Sequence, residues 1–275
     1  NDILTEYTEM TILRDGSQLT LPMESYKKSP YESIYTCQAL GEDTALLKFN
    51  DFNDIEQMNT LIEESQELLD SKYWIIDVRV NGGGFDGVYF PLLDYLFPPK
   101  SKLVNDSKQY HNITDRNYKN MIRALEEYLT EDPDNKEVLK YTDLYRSKRG
   151  MGFTLLSEET DILELDGSVR PEKIIVLTDR YCGSSGDSFC HYTRKSPKVT
   201  LMGRATYGVI DYGNIVYHEL ADGLKLMYST SINYWENNEK GYDNIGVQPD
   251  IYIPWTPEHL ERDVDLEKAV EMLKE

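Results

Sequence analysis

The chain has 275 residues, 40% of them hydrophobic, enough to bury a substantial core in one large domain or two small ones, with nothing that marks disorder. Its formal net charge of −20 and pI of about 4.6 set the surface against phosphate backbones and anionic lipids, which argues against nucleic-acid and membrane-surface partners. Three cysteines (Cys37, Cys182, Cys190) without a C-x-x-C pair, and four scattered histidines (His111, His191, His218, His259), argue against a disulfide scaffold and a structural zinc site.

No apolar run approaches a membrane span and no signal peptide is visible. The first residue is Asn1 rather than Met, which reads as a processed or trimmed chain. Thr11 to Leu21 reads as a β-hairpin turning at Asp15-Gly16, too short to be a domain. Thr44 to Phe49 is a strand, Asp54 to Leu69 carries apolar residues at helical spacing, and Tyr73 to Val80 is a buried-looking strand ended by Asn81-Gly82-Gly83-Gly84. The apolar run from Phe85 to Phe97 predicts a second helix, stopped by Pro98-Pro99. Strand, helix, strand, glycines and helix point to an α/β layered core.

Residues 100 to 170 are charged and tyrosine-rich, with one clear helix from Asp115 to Thr130, and read as an insertion. The core resumes at Lys173, with strands near Val199–Met202, Asn214–Leu220 and Leu224–Ser229 and a hairpin signal at Ala221-Asp222-Gly223. A last helix runs from about Asp263 to Leu273.

Four short segments carry the chemistry. In Ile174 to Phe189 a β-branched run stops at Gly183-Ser184-Ser185-Gly186 and an amphipathic segment follows at once. That is a strand delivering a serine to the first turn of a helix, where backbone N–H groups are free and the helix dipole is positive. An ordinary helix cap is the structural alternative, and the G-x-S-x-G spacing of the α/β-hydrolases is absent. Asp77 to Phe85 (DVRVNGGGF) places glycines where the backbone can approach a ligand. No Lys-Ser/Thr follows and the spacing is not G-x-G-x-x-G, so phosphate-loop and dinucleotide readings fail and an oxyanion hole remains beside a plain tight turn. The other two segments are GRATYG (Gly203–Gly208) and DNIGVQPD (Asp243–Asp250).

Taken in order, DVRVNGGGF, GSSGDSF, GRATYG and DNIGVQPD resemble the tail-specific (C-terminal processing) serine protease family, most of all its tricorn-protease-like branch. The likeness covers the chain from about Thr44 to the C-terminus, apart from the insertion. It implies an α/β fold with a ClpP/crotonase-like layered spiral core over 41–275 and a mostly helical insertion at about 100–170. It also implies that the hairpin within residues 1–40 is the end of a PDZ domain, which commonly precedes this core.

By position in the motifs, the resemblance makes Ser184 the nucleophile, three residues before the acid Asp187, and gives the oxyanion hole to the N–H groups of Ser185 and Gly84. One branch of the family activates serine with a lysine after GxxTxG; Val209 stands there and cannot accept a proton. The tricorn-like branch uses a histidine oriented by an acid, and Asp243 occupies that acidic position where relatives carry Glu. The matching histidine comes from a segment upstream of the PDZ domain. Among the histidines here, His191 is two helical turns from Ser184, His218 falls in a hairpin strand and His259 beside the last helix, which leaves His111 as the internal candidate.

These readings imply a serine endopeptidase core acting on extended or unfolded polypeptides or their C-terminal tails, with no metal or organic cofactor and an upstream domain as the source of the histidine. The branch is often exported in bacteria, which leans the expectation toward an extracytoplasmic location. A protease-derived module that captures peptides without cutting them is the rival reading, and a crotonase-like acyl-CoA enzyme is a more distant one.

Overall fold

The structure, a computed structural model, describes residues 9–22, 31–131, 133–157, 161–221, 223–236 and 238–273. They divide into two units, Asn1–Glu32 and Ser33–Glu275. In the first, β1 (Glu9–Arg14) and β2 (Ser17–Pro22) pair antiparallel. Asp15 and Gly16 have φ of 53° and 79°, the two left-handed residues that a type I′ hairpin turn requires.

The second unit begins with β3 (Tyr35–Ala39) and β4 (Thr44–Phe49), then α1 (Ile55–Glu64), α2 (Gln66–Leu69) and β5 (Tyr73–Asp77). The Asp54 carboxylate caps α1 by accepting the Gln57 N–H at 2.9 Å, the usual way of satisfying a free donor there. One-turn α3 (Leu93–Leu96) follows. Next come β6 (Ser101–Val104), β7 (Ser107–Ile113), α4 (Asp115–Glu131), α5 (Lys136–Ser147), β8 (Gly152–Leu155) and β9 (Ile162–Leu165). The chain closes with β10 (Lys173–Thr178), α6 (Ser185–Thr193), β11 (Val199–Gly203), β12 (Tyr212–Ala221), β13 (Leu224–Trp235), β14 (Ile251–Tyr252) and α7 (Val264–Leu273).

Six strands form the central sheet in the order β14-β11-β10-β5-β4-β3. All neighbours are parallel except β3 and β4, so residues 35–39, expected in the N-terminal linker, form an antiparallel edge strand. Parallel strands need covering on both faces, and the alternation of side chains supplies it. Leu47, Trp74, Ile76, Ile174, Val176 and Leu201 point to one face with Met58 of α1 and Phe189 of α6. Leu46, Ile75, Ile175, Leu177 and Met202 point to the other with Val264, Ala269 and Leu273 of α7. Each such side chain, fully buried, is worth roughly 1.5–3 kcal/mol.

Residues 100–170 hold more than helices. Ile113 of β7, Tyr145 of α5 and Leu156 just after β8 form a small core with Tyr118, Met121 and Ile122 of α4. β7 and β8 then pair into a second, antiparallel sheet of order β12-β13-β7-β8, while β6 pairs with β9. The Phe85–Phe97 run is not a continuous helix either. It forms short 3-10 turns at Asp86–Val88 and Phe90–Leu92 before α3, because Gly87 and Pro91 fall inside it and both disfavour helix interiors. In the hairpin joining β12 and β13, Asp222 lies outside the described residues.

His111 of β7 is 2% exposed, with its ring against Tyr141 and Tyr145 of α5 and no hydrogen-bond partner for Nδ1 among the described residues. Burial lowers its pKa from 6.5 to about 4. The folded state therefore resists a proton that the unfolded chain accepts, and stability falls as pH drops from about 6.5 towards 4. Urea denaturation of His111→Phe against the parent should show the variant gaining about 2 kcal/mol relative to the parent between pH 7 and pH 5. A pH-independent difference would mean that His111 does not titrate this way.

Candidate active site

The serine turn stands at the carboxyl end of β10. Ser184 has φ 55° and ψ −120°, a conformation rare for a residue with a side chain and costing about 1–3 kcal/mol. The neighbouring serines differ sharply: Ser184 is exposed, whereas Ser185 is buried at 5%. The Ser185 hydroxyl is turned to Asp86, whose carboxyl is pushed up by burial and drawn back by the hydroxyls of Ser185 and Ser188.

A single carboxylate fixes the turn. Asp187, fully buried, accepts the Ser184 N–H at 2.8 Å, the Gly208 N–H at 2.9 Å and the Val209 N–H at 3.0 Å. Burial pushes its carboxyl up, and the Thr206 hydroxyl and these backbone donors pull it back. Tyr207 N–H adds a bond to the Cys182 carbonyl at 2.7 Å. The loop after β11 is thereby tied to the serine turn, and the Val209 side chain packs beside Gly183.

The NGGG turn docks on the same point from the neighbouring strand. Asn81 carbonyl accepts the Gly183 N–H at 2.8 Å, and a Cβ on Gly83 (φ 93°) would stand 2.6 Å from Ser184 Cβ and 2.9 Å from Ser185 N. Gly82 N–H is taken by the Asn50 carbonyl and Gly83 N–H by Asn81 Oδ1. The Gly84 N–H has no acceptor among the described residues, and at φ 148° a side chain there would run into the Phe52 carbonyl.

Asp243 arrives on the loop between β13 and β14. That loop wraps Gly208: Asn244 N–H donates to the Gly208 carbonyl at 3.3 Å and Thr206 N–H to the Val247 carbonyl at 3.1 Å. The Asp243 side chain is exposed. Its N–H and that of Tyr242 both donate to Asp211 Oδ2 at 2.7 Å, while Asp211 Oδ1 accepts Trp235 Nε1–H at 2.6 Å. Nothing in the sequence pattern singles out Asp211.

Three of the four histidines are engaged elsewhere. His191 is buried on α6, with Nε2 2.8 Å from Asp106 Oδ1 and Nδ1 2.9 Å from the Tyr242 hydroxyl. Although burial opposes it, His191 and Lys195 hold the Asp106 carboxyl well below the carboxylate range. His259 pairs with Asp265 at 3.2 Å, and His218 lies in β12. His111, the internal candidate, is enclosed by α5 tyrosines. The two motif arginines also have structural work: Arg79 bridges Asp77, Asp263 and Asp265, and Arg204 meets the same buried Asp265 at 2.7 Å, which anchors α7 to the ends of β5 and β11. Among the described residues no His/Cys/Asp/Glu group is arranged to hold a metal ion, and no helix is long and apolar enough to cross a membrane.

With this geometry in hand, the model of peptidase family S41 matches residues 43–253. The chain belongs to peptidase family S41. The tricorn protease of Thermoplasma volcanium is 32% identical over 102 residues, covering 36% of this chain and 10% of that protein. The tricorn protease homolog of Saccharolobus solfataricus is 29% identical over 104 residues, 37% of this chain and 10% of that one. The chain spans about a tenth of the length of the curated relatives it matches. Among solved structures, mature CPAF complexed with lactacystin superposes with a TM-score of 0.57 at 16% identity, over 84% of this chain and 50% of that one. A candidate peptidase from Parabacteroides merdae gives 0.55 at 20%, over 89% and 65%. At such identities the likeness is one of fold: a mixed α/β S41-type core.

Asp187→Ala would remove the acceptor of three N–H donors, that of Gly208 buried and those of Ser184 and Val209 partly so. It should cost about 3 kcal/mol or more in urea denaturation, with Asp187→Asn intermediate because an amide oxygen still accepts. Equal stability of parent and Asp187→Ala would show that the carboxylate is not the tie.

Proposed function

We propose that this chain is the catalytic core of a serine endopeptidase acting on extended or unfolded polypeptides or their C-terminal tails. The observation that carries the reading is the contrast between two adjacent serines. Ser184 is exposed, strained at φ 55° and set at the start of α6, while Ser185 is buried. Ser184 Oγ attacks the peptide carbonyl carbon. The N–H groups of Ser185 and Gly84, neither with an acceptor among the described residues, hold the developing oxyanion, where losing one donor costs roughly 2.7–4 kcal/mol of barrier. The hydroxyl proton passes to an imidazole supplied by sequence upstream of Asn1 and oriented by Asp243, and then to the leaving amine. Water releases the acyl group from Ser184 by the reverse route.

Val209 in place of a lysine, and the engagement of both His191 nitrogens, favour an outside histidine over an internal base. The central sheet adds parallel strands in one direction only, from β4 through β5, β10 and β11 to β14, which supports a ClpP/crotonase-like layered spiral. The β1–β2 hairpin is consistent with the closing strands of a PDZ domain.

The protein with its natural upstream sequence, assayed on an unfolded protein, tests the reading. Ser184→Ala should lower turnover by about four to six orders of magnitude, whereas Ser185→Ala, which keeps its N–H, should retain most of it. A fluorophosphonate should label Ser184 in the enzyme and not in a peptide-capturing relative that does no chemistry. Undiminished hydrolysis by Ser184→Ala would sink the assignment.

A further inference from the structure

Asp243 can orient an imidazole at Ser184 only if its loop keeps a fixed place relative to the serine turn. Its two neighbours in the chain supply that. On one side, Asn244 N–H donates to the Gly208 carbonyl at 3.3 Å, and Gly208 N–H lies on the Asp187 carboxylate that also holds Ser184. On the other side the tie is a side chain: the hydroxyl of half-buried Tyr242 lies 2.9 Å from His191 Nδ1. Both ties lead back to α6, which Ser184 caps and which carries His191 two turns further on, about 10 Å along its axis.

His191 is itself fixed. The residue is 5% exposed, and its Nε2 lies 2.8 Å from Asp106 Oδ1, which Lys195 Nζ also reaches at 2.7 Å. Because Asp106 is held as a carboxylate, the proton of the neutral ring sits on Nε2 and leaves Nδ1 to accept the Tyr242 O–H. The imidazole also packs on Trp235 at 4.6 Å between centroids, and Trp235 meets Tyr242 edge-on at 5.1 Å. Trp235 Nε1–H donates to Asp211, whose other oxygen accepts the N–H groups of Tyr242 and Asp243. The contacts close a circuit from His191 through Trp235 and Asp211 to Tyr242 and back to His191.

Buried polar groups cost free energy unless each is paired, and apolar side chains would fill the same space without that cost. What a satisfied polar circuit adds is direction. The hydroxyl bond fixes the rotation of Tyr242, and the backbone of the next residue follows.

We propose that His191 and Tyr242 are positioning residues for the peptidase reaction: they hold Asp243 in register with Ser184, so that one helix sets the place of both nucleophile and acid. Neither touches the reacting atoms. The inference rests on the peptidase reading, in which Asp243 orients the imidazole.

Tyr242→Phe isolates the role, because it keeps the ring contacts and removes one hydroxyl. The control is Tyr192→Phe on the same helix, which loses a comparable bond, 3.0 Å to Asn105 Oδ1. In the protein with its natural upstream sequence, both variants should lose similar, small amounts of thermal stability. On an unfolded protein substrate only Tyr242→Phe should lower kcat, by about tenfold, with KM unchanged because the tie acts on the transition state. Fluorophosphonate labelling of Ser184 should slow by a similar factor. His191→Phe should lower kcat at least as far, and adding Tyr242→Phe to it should cost nothing more, since both remove one bond. Unchanged kcat in Tyr242→Phe, equal losses in the two tyrosine variants, a change confined to KM, or losses that multiply in the double variant would each overturn the inference and leave the peptidase reading standing. Hydrolysis that survives Ser184→Ala removes that reading, and the inference with it.

Discussion

The buried carboxylate of Asp187 is the interaction on which the site depends. Ser184 occupies a backbone conformation that costs about 1–3 kcal/mol, and a strained turn persists only when its surroundings over-determine it. Asp187 supplies that determination by binding the Ser184 N–H and, with the same two oxygens, the N–H groups of Gly208 and Val209. Each charge-assisted bond contributes about 1.5–3 kcal/mol, so three of them outweigh the strain. Burial is the counterweight, because a carboxylate this deep is tolerable only while its oxygens remain satisfied.

The rest of the site is arranged around that tie. The NGGG turn reaches Ser184 because glycine allows its backbone to come within a distance no side chain permits. The loop bearing Asp243 interlocks with the Thr206–Gly208 loop because Gly208 and Gly246 allow the two backbones to meet. Arg79 and Arg204, which look like site residues in their motifs, instead converge on Asp265 and hold α7 beneath the strand ends. Three buried acids thus organise this end of the sheet: Asp187 holds the serine turn, Asp211 the backbone of Asp243, and Asp265 the arginines that anchor α7.

Much of this was legible in the sequence wherever the information is local. Thr44–Phe49 is a strand in both readings, a short apolar run that pairs with β3 and β5, and Asp15-Gly16 turns a hairpin because those two residues accept positive φ. The family resemblance names Ser184 rather than Ser185, and in the structure Ser184 is exposed while Ser185 is buried. α5 is weakly signalled in a charged stretch, although Asn135 caps it by accepting the Val138 N–H and Val138, Leu139, Thr142 and Tyr145 recur at helical spacing. The break in Phe85–Phe97 was signalled by Gly87 and Pro91 but hidden by the apolar composition around them. What could not be read was pairing at a distance: Asp211 with Trp235 and the Asp243 loop, Asp265 with two arginines, and β7 with β13.

That last pairing has a consequence for how the molecule can change. Residues 100–170 read as a cassette added to a finished core, yet β7 lies against β13 from Ser107↔Trp235 to His111↔Ser231. Removing the segment would strip one flank from β13, including the stretch that ends at Trp235, whose indole bonds Asp211. Even the helical pair beyond Ile113 is tied in, since Tyr141 and Tyr145 of α5 cover His111 and Asn117 of α4 accepts the Tyr228 hydroxyl of β13. The apparent insertion is thus part of the core's support, and trimming it away would take apart the sheet that leads into the Asp243 loop.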